Sequence, residues 1–223
     1  MQAGNKTYST EKDIPACVPV FPLSGALLLP GGQMPLNIFE PRYLEMIDTA
    51  LRGDRTIGMI QPKFSGDTGS ADRPHLCAVG CLGRIASFAE SGDGRYLISL
   101  QGICRFRVAE ELAVRTPFRQ CRISPFISDL DEDADGSCVD REALLRVFRA
   151  YLEANELEAD WESVKRAGND TLVNALSMMS PYGPAEKQAL LEAPDLKNRA
   201  DTLIAITEMA LARDTDDSAP TLQ

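Results

Sequence analysis

The chain has 223 residues, 44% hydrophobic and 25% charged, a composition that is ordinary for a soluble globular protein and allows one large domain or two small ones. No apolar run reaches the roughly 20 residues that a membrane span requires, and the N-terminal segment lacks the apolar stretch of a secretory signal, so we expect a cytoplasmic protein with no membrane partner. The net charge of −10 arises almost entirely after residue 127, where 21 acidic residues outnumber 9 basic ones, and this excess disfavours nucleic acid as a partner because phosphate would be repelled.

Residues 14–127 contain the short apolar and alternating runs of a β-rich lobe. In chain order, the predicted strands are CVPVFPL, ALLLP, PLNIF, TIGMIQP, LCAVGCLGRIASFAE, YLISLQG, CRFRVAEEL and FRQCRISPF. One helix interrupts them and begins near Pro41. Many short strands around a single helix are typical of a closed or nearly closed barrel. The preceding residues, 1–13, are expected to form a flexible N-terminus.

The order of residue types inside the predicted strands indicates which side chains are buried. In CRFRVAEE, Arg105 and Arg107 alternate with Phe106, which predicts that both arginines lie on a solvent-exposed face. Cys77 and Cys81 form the one close pair among six cysteines; on a strand they share a face but lie about 13 Å apart, too far for a disulfide or a shared metal. We therefore expect them to be small buried hydrophobic residues.

After residue 139 the apolar period changes from two to 3.6 residues, which predicts helices. The predicted helices are DREALLRVFRAYLEANE, NDTLVNALSMM, GPAEKQALLE and DLKNRADTLIAITEMALAR. In the second of these, Leu172, Leu176 and Met179 recur at helical spacing and are expected to share the apolar stripe. The C-terminal half is therefore predicted to be a bundle of about four helices.

The predicted fold class is α+β, with two lobes in sequence. The β-barrel lobe covers residues 14–127 and the helical bundle covers residues 140–213. An acidic linker, residues 128–139, joins them, and residues 214–223 are expected to be a disordered tail.

The stretch PLNIFEPRYLEMI changes from strand to helix at Glu40 and Pro41. Proline suits the first turn of a helix, and a carboxylate there complements the exposed N–H groups and the helix dipole. This corner explains Glu40 and Pro41 as structural residues. It explains Arg42 and Tyr43, which follow them, less well.

The stretch VFPLSGALLLPGGQMPLNIFEPRYLEMI resembles the opening signature of the Lon-protease N-terminal domain, the substrate-binding part of ATP-dependent protease La. The similarity continues in AVGCLGRI, ISLQGICRFRV and EKQALLEAPDLKNRADTLI, from about Val18 to Leu211. The resemblance implies a PUA-like pseudo-barrel followed by a helical bundle. Full-length members of that family also carry an ATPase module and a Ser-Lys peptidase domain. This sequence has no G-x-x-x-x-G-K-[ST] phosphate loop, so we expect a stand-alone binding domain that is not an enzyme and uses no cofactor.

The resemblance implies that the ligands are polypeptides, particularly the apolar segments of unfolded or tagged client proteins, bound in a groove between barrel and bundle. Phe39, Arg42 and Tyr43 are the candidate peptide-binding residues, although fastening the barrel to its own helix explains them as well. The leading hypothesis is an adaptor in protein quality control, with an ATP-dependent protease as a candidate partner and self-association left open. The alternative is an RNA-binding PUA-like protein, against which the charge balance argues.

The acidic segment DLDEDADGSCVDRE is the competing candidate site. Asp131, Asp133, Asp135 and Glu142 fit the D-x-D-x-D-G-x5-E spacing of a calcium loop. Val139, however, occupies a position that usually offers oxygen, and the preceding residues do not form an entering helix. A solvated acidic linker accounts for the same charges. A calcium or small-ligand sensor is therefore the third functional class.

Overall fold

The computed structural model describes residues 1–66, 68–70, 73–131 and 138–217. The strands within these residues are β1 (Gln2–Ala3), β2 (Lys6–Thr7), β3 (Cys17–Pro22), β4 (Gln33–Ile38), β5 (Thr56–Pro62), β6 (Leu76–Glu90), β7 (Tyr96–Glu111) and β8 (Arg119–Pro125). The α-helices are α1 (Pro41–Arg52), α2 (Arg141–Ala154), α3 (Trp161–Arg166), α4 (Asn169–Met179), α5 (Pro184–Glu192) and α6 (Leu196–Asp217). None of the helices in these ranges is both long and apolar enough to cross a membrane.

Five strands close into a barrel in the order β3–β5–β6–β7–β8, with β8 pairing back to β3. Strands β3 and β5 run parallel, with Val20 opposite Gly58, and the other pairs in the ring are antiparallel. β6 and β7 are 15 and 16 residues long, and β4 pairs with the first part of β7 beside the ring. The predicted fold class, a β-barrel lobe followed by helices, is confirmed.

Strand β5 is buried along nearly its whole length because both of its faces are covered. On one face, Ile60 belongs to a hydrophobic cluster with Phe106 of β7. On the other face, Ile57 and Met59 belong to a larger cluster that also contains Leu172 of α4. The barrel and the helices therefore share a continuous hydrophobic core.

Residues 1–13 differ from the flexible N-terminus that the sequence predicted, because they fold against the barrel. Strands β1 and β2 form a short antiparallel pair, and the side chains of Ala3 and Tyr8 are fully buried. The guanidinium of Arg84 donates hydrogen bonds to Tyr8 Oη at 3.3 Å and to Asn5 Oδ1 at 3.1 Å. The buried side chains of Tyr8 and Arg84 thus hold this segment against the barrel. Its polar composition did not predict this packing.

Several predicted elements have different bounds in the structure. The run ALLLP is not a strand, although its leucines are buried as a loop against the barrel. YLISLQG and CRFRVAEEL are parts of one strand, β7. The helical half contains α3 in addition to the four predicted helices, and α6 continues to Asp217, into the segment assigned to the tail. Residues 218–223 of that tail lie outside the described residues.

Arg105 lies in the interior, and the prediction of a solvent-exposed face is wrong for this residue. Its Nε and Nη2 atoms each donate to a carboxylate oxygen of Asp129 at 2.8 Å, and its backbone N–H donates to Asp129 as well. The same guanidinium donates to three backbone carbonyls at the end of α5 and in the α5–α6 connection, those of Leu191, Ala193 and Pro194. Arg107, two residues later, is exposed as predicted. Arg105 therefore joins a barrel strand to the helical part.

The prediction that Cys77 and Cys81 are buried hydrophobic residues is confirmed. Burial raises the pKa of the Cys81 thiol well above its ordinary value and raises the pKa of Cys104 to about 12 and that of Cys121 to about 11. Such thiols are protonated at neutral pH and therefore poor nucleophiles.

Thiol labelling is expected to separate the six cysteines into two groups. Cys17 and Cys138 are exposed and should react with a disulfide reagent within minutes, whereas the four buried thiols should react only as the protein unfolds. Mass spectrometry of partly labelled protein measures the two groups. Fast labelling of Cys81 in the native protein would contradict the packing of β6.

Candidate functional site

The strand-to-helix corner is built around an ion pair. Pro41 opens α1 and Glu40 is its N-cap, but the Glu40 side chain accepts no hydrogen bond from the helix N–H groups. Its Oε2 atom instead lies 2.7 Å from Nη2 and 2.9 Å from Nε of Arg42. The carboxylate thus orients Arg42 at the surface, a different role from the capping interaction that its position suggested.

The three residues predicted to bind peptide differ in accessibility. Phe39 is 63% exposed, and the exposed Arg42 guanidinium lies 4.6 Å from the centroid of the Tyr43 ring. Tyr43 itself is 7% exposed, its ring centroid lies 4.2 Å from that of Phe21, and burial raises its pKa. The ring of Tyr43 therefore belongs to the core that joins α1 to the barrel, and the corner offers Phe39 and Arg42 to a ligand. Their role in peptide binding stays a prediction.

A concave surface, separate from the corner, lies in the helical part. We call it the apolar groove: a depression of about 570 Å³ between α2, α3, α4 and the connection from α2 to α3. Its floor contains the buried side chains of Leu152, Leu172 and Leu176. Its edge carries Leu157, which is 53% exposed, and Met179, which is 81% exposed. Two large apolar side chains thus border an open apolar depression.

A second depression, the interlobe cleft, continues this surface to the barrel. It has a volume of about 270 Å³ and lies between α4 and residues 30–33, the barrel loop before β4 together with the first residue of that strand. Met179 and Ala175 line both depressions. At the cleft, Met178 packs so closely on Gly32 that a Cβ atom there would overlap its sulfur. The two depressions form one concave strip across both lobes.

Backbone hydrogen bonds place Leu157 at the edge of the groove. Its N–H donates to the carbonyl of Leu152 at 2.9 Å, and the turn between them requires Glu156 to adopt a φ of 54°. Asp160 then caps α3 by accepting hydrogen bonds from the N–H groups of Glu162 and Ser163, and bonds from Ser163 lower its pKa. The position of Leu157 is therefore set by the turn.

The charged residues that line the concave strip are all acidic. Glu158 and Asp160 line the apolar groove, and Asp170 lines the interlobe cleft. No lysine, arginine or histidine is among the described residues that line either depression. The strip therefore combines an apolar floor with a negative border.

The predicted corner and the concave strip do not coincide, since the lining of neither depression includes Phe39, Arg42 or Tyr43. The sequence also placed Met179 on the buried stripe of α4, which is wrong. Met178 and Met179 are adjacent, and successive helix residues point about 100° apart, so both cannot face the core. The two adjacent methionines could therefore have predicted, from the sequence alone, that one of them is exposed.

The acidic segment is described only in part. Asp131 is exposed and Glu142 lies in the first turn of α2, whereas Asp133 and Asp135 lie outside the described residues. Asp140, next to Glu142, caps α2 by accepting from the N–H of Ala143 at 2.9 Å. Within the described ranges, no group of three or more His, Cys, Asp or Glu residues is arranged to hold a metal ion. The calcium loop therefore stays a prediction.

Comparison with known proteins agrees with this architecture. The family model described as ATP-dependent protease La (LON) substrate-binding domain matches residues 17–208. Lon protease 2 of Myxococcus xanthus is 28% identical over 207 residues, which cover 88% of this chain and 24% of that protein. Lon protease of Parabacteroides distasonis is 31% identical over 199 residues, which cover 85% of this chain and 23% of that protein. The chain thus spans about a quarter of the length of these curated relatives.

Two solved structures share the fold. The crystal structure of a Lon N-terminal domain protein from Xanthomonas campestris superposes with a TM-score of 0.60 at 22% identity, covering 85% of this chain and 97% of that one. The N-terminal domain of the Mycobacterium avium complex Lon protease superposes with a TM-score of 0.56 at 19% identity, covering 86% and 98%. At these identities the similarity establishes the fold.

Proposed function

Because the chain belongs to the ATP-dependent protease La (LON) substrate-binding domain family, we propose that it is a polypeptide-binding module that takes apolar segments of client proteins into the concave strip. The proposed activity is binding alone, since the family match, residues 17–208, corresponds to a substrate-binding domain. We further propose that the module acts as an adaptor in protein quality control and passes clients to an ATP-dependent protease. The proposed compartment is the cytoplasm, whose reducing conditions suit a chain with four buried thiols.

The observation that carries this proposal is the exposure of Met179 and Leu157, which both line an apolar depression. Apolar surface that is contiguous and bordered by polar residues marks interaction sites, because its contact with water is unfavourable. Methionine is unbranched and flexible, so it adapts to clients of different shape. A binding surface for varied unfolded segments needs this property.

Paired double variants test where peptides bind. Met179→Ser/Leu157→Ser removes the apolar edge of the groove, and Phe39→Ser/Arg42→Ala is the matched change at the corner. All four residues are exposed, so both variants should keep the wild-type thermal stability. Tyr43 is left unchanged because its ring is part of the core. Fluorescence anisotropy with apolar peptides selected on an array measures the affinity.

The groove variant is expected to bind at least about tenfold more weakly, since burial of one such side chain contributes about 1.5–3 kcal/mol before the costs of association. The corner variant is expected to change the affinity by less than about twofold. Wild-type affinity in the groove variant would reject the groove, and loss of binding in the corner variant would move the site to Phe39 and Arg42. Failure of the wild-type protein to bind any apolar peptide would reject the proposed function.

A further inference from the structure

We infer that the concave strip selects apolar segments flanked by lysine or arginine; this inference rests on the proposed peptide binding and specifies its substrate class. The strip borders its apolar floor with Glu158, Asp160 and Asp170 and with no basic residue among the described ones that line it. A client segment whose apolar residues fill the groove brings its flanking residues to this border. Flanking cations are attracted there and flanking anions are repelled.

The three acidic residues differ in how many hydrogen bonds their carboxylates already accept within the protein, and therefore in their availability to a ligand. The oxygens of Asp160 already accept hydrogen bonds from the first turn of α3. Glu158 is exposed and takes part in no hydrogen bond or ion pair with the residues that the structure describes. Asp170 is exposed in the first turn of α4, where its carboxylate accepts a bond of 3.4 Å from the Thr171 hydroxyl. Glu158 and Asp170 are therefore the groups to which a client cation can bind.

These two carboxylates lie at different parts of the strip. Glu158 lines the apolar groove beside Leu157, whereas Asp170 lines the interlobe cleft. A segment that occupies both depressions thus meets one negative charge in the groove and another in the cleft. Glu153, in the last turn of α2, and Glu156, in the connection between α2 and α3, add negative charge near the Glu158 end.

The surrounding charge favours the same class of client. Residues 140–213, which contain α2 to α5 and most of α6, include 13 acidic and 9 basic residues, so the helical part has a net negative charge. Such a charge raises the local concentration of cationic ligands and slows the approach of anionic ones. An exposed ion pair changes affinity by only about two- to fivefold, so apolar contact provides the binding and charge provides the selection.

Four peptides of equal length test the inference. Three share one leucine- and phenylalanine-rich centre with flanks of lysine, glutamine or glutamate, and the fourth has lysine flanks around a serine centre. Anisotropy titrations at about 20 mM and about 500 mM salt separate the two contributions, because salt screens exposed charges and leaves apolar contact intact. At low salt the lysine-flanked apolar peptide is expected to bind about tenfold more tightly than the glutamate-flanked one, and this ratio should shrink at high salt.

Charge reversal at one position locates the effect. Glu158→Lys is expected to remove most of the preference for lysine flanks, because it replaces an accessible anion by a cation. Glu208→Lys is the matched control: Glu208 is an exposed glutamate of α6 that lines neither depression, and its reversal changes the net charge equally. The control should keep the wild-type preference. Equal thermal stability of both variants shows that each is folded.

Three outcomes would overturn the inference, and they differ in what else they reject. Equal affinity for the three apolar peptides rejects charge selection and leaves the proposed peptide binding in place. Equal binding of the serine-centred peptide shows attraction by charge alone and rejects the groove as the site. Binding of none of the peptides rejects both the inference and the proposed function.

Discussion

Replacement of Arg105 by alanine is expected to lower the free energy of unfolding by about 3–5 kcal/mol, because it leaves a buried carboxylate without its partner. The Asp129 carboxylate accepts two hydrogen bonds from the Arg105 guanidinium, and its side chain is only 9% exposed. The three carbonyls at the end of α5 and in the α5–α6 connection lose this donor at the same time. The substitution therefore affects the barrel and the helical part together.

Urea unfolding followed by circular dichroism measures this loss. Arg122→Ala is the matched control, because Arg122 is an exposed arginine of β8 whose Nε lies 3.4 Å from Glu110. Its removal should cost less than about 1 kcal/mol. The double variant Arg105→Met/Asp129→Leu should recover part of the stability, since it removes the unpaired charge. A loss for Arg105→Ala as small as that for Arg122→Ala would contradict the buried network.

Gly102→Ala is expected to cost about 3 kcal/mol, the upper end of the usual range for overpacking, since it inserts a methyl group where no space exists. The new Cβ atom would overlap the backbone carbonyl oxygen of Leu29. The Gly102 N–H also donates to the carbonyl of Gly32 at 2.9 Å, and its carbonyl accepts from Gly31 at 3.0 Å. The loop cannot move away without breaking these bonds. Because the same loop forms one wall of the interlobe cleft, peptide affinity should fall as well.

Gly92→Ala controls for the change of residue type. Apart from Gly92 and its two chain neighbours, no atom of the described residues lies within 4 Å of a Cβ placed at Gly92, in the turn between β6 and β7. Its replacement should change stability by less than about 1 kcal/mol and can stabilise the protein by restricting the unfolded chain. Thermal melting of both variants distinguishes them. Similar melting temperatures would show that β7 does not approach the loop as closely as the structure places it.

Local periodicity predicted most of the strands and helices because it reports burial within one element. The run TIGMIQP coincides with β5, and the change of period after Glu40 coincides with the start of α1. The same reasoning failed at Arg105, because alternation assumes that every second side chain meets water. There the second face of β7 is covered by the end of α5 and the α5–α6 connection, 86 or more residues away in the chain. The pattern of residues within one strand cannot indicate a contact with a segment so distant in the chain.

The candidate site was less accessible to sequence reasoning than the fold. The corner residues Phe39, Arg42 and Tyr43 stood out because of their chemical types, yet only the structure separates the buried Tyr43 from the other two. The concave strip combines residues of α2, α3, α4 and a barrel loop. Its most exposed apolar side chain, Met179, occupied a position that the helical period assigned to the core.

The sequence by itself determined the fold class, the order of most elements, the family resemblance and the burial of Cys77 and Cys81, since each depends on residues that are close in the chain. Only the tertiary structure decided that residues 1–13 pack on the barrel and that Arg105 holds the two lobes together. It also decided that the acidic side chains of Glu158 and Asp160 lie beside an apolar groove. These features depend on which distant segments meet, and that is set by the packing of the whole chain.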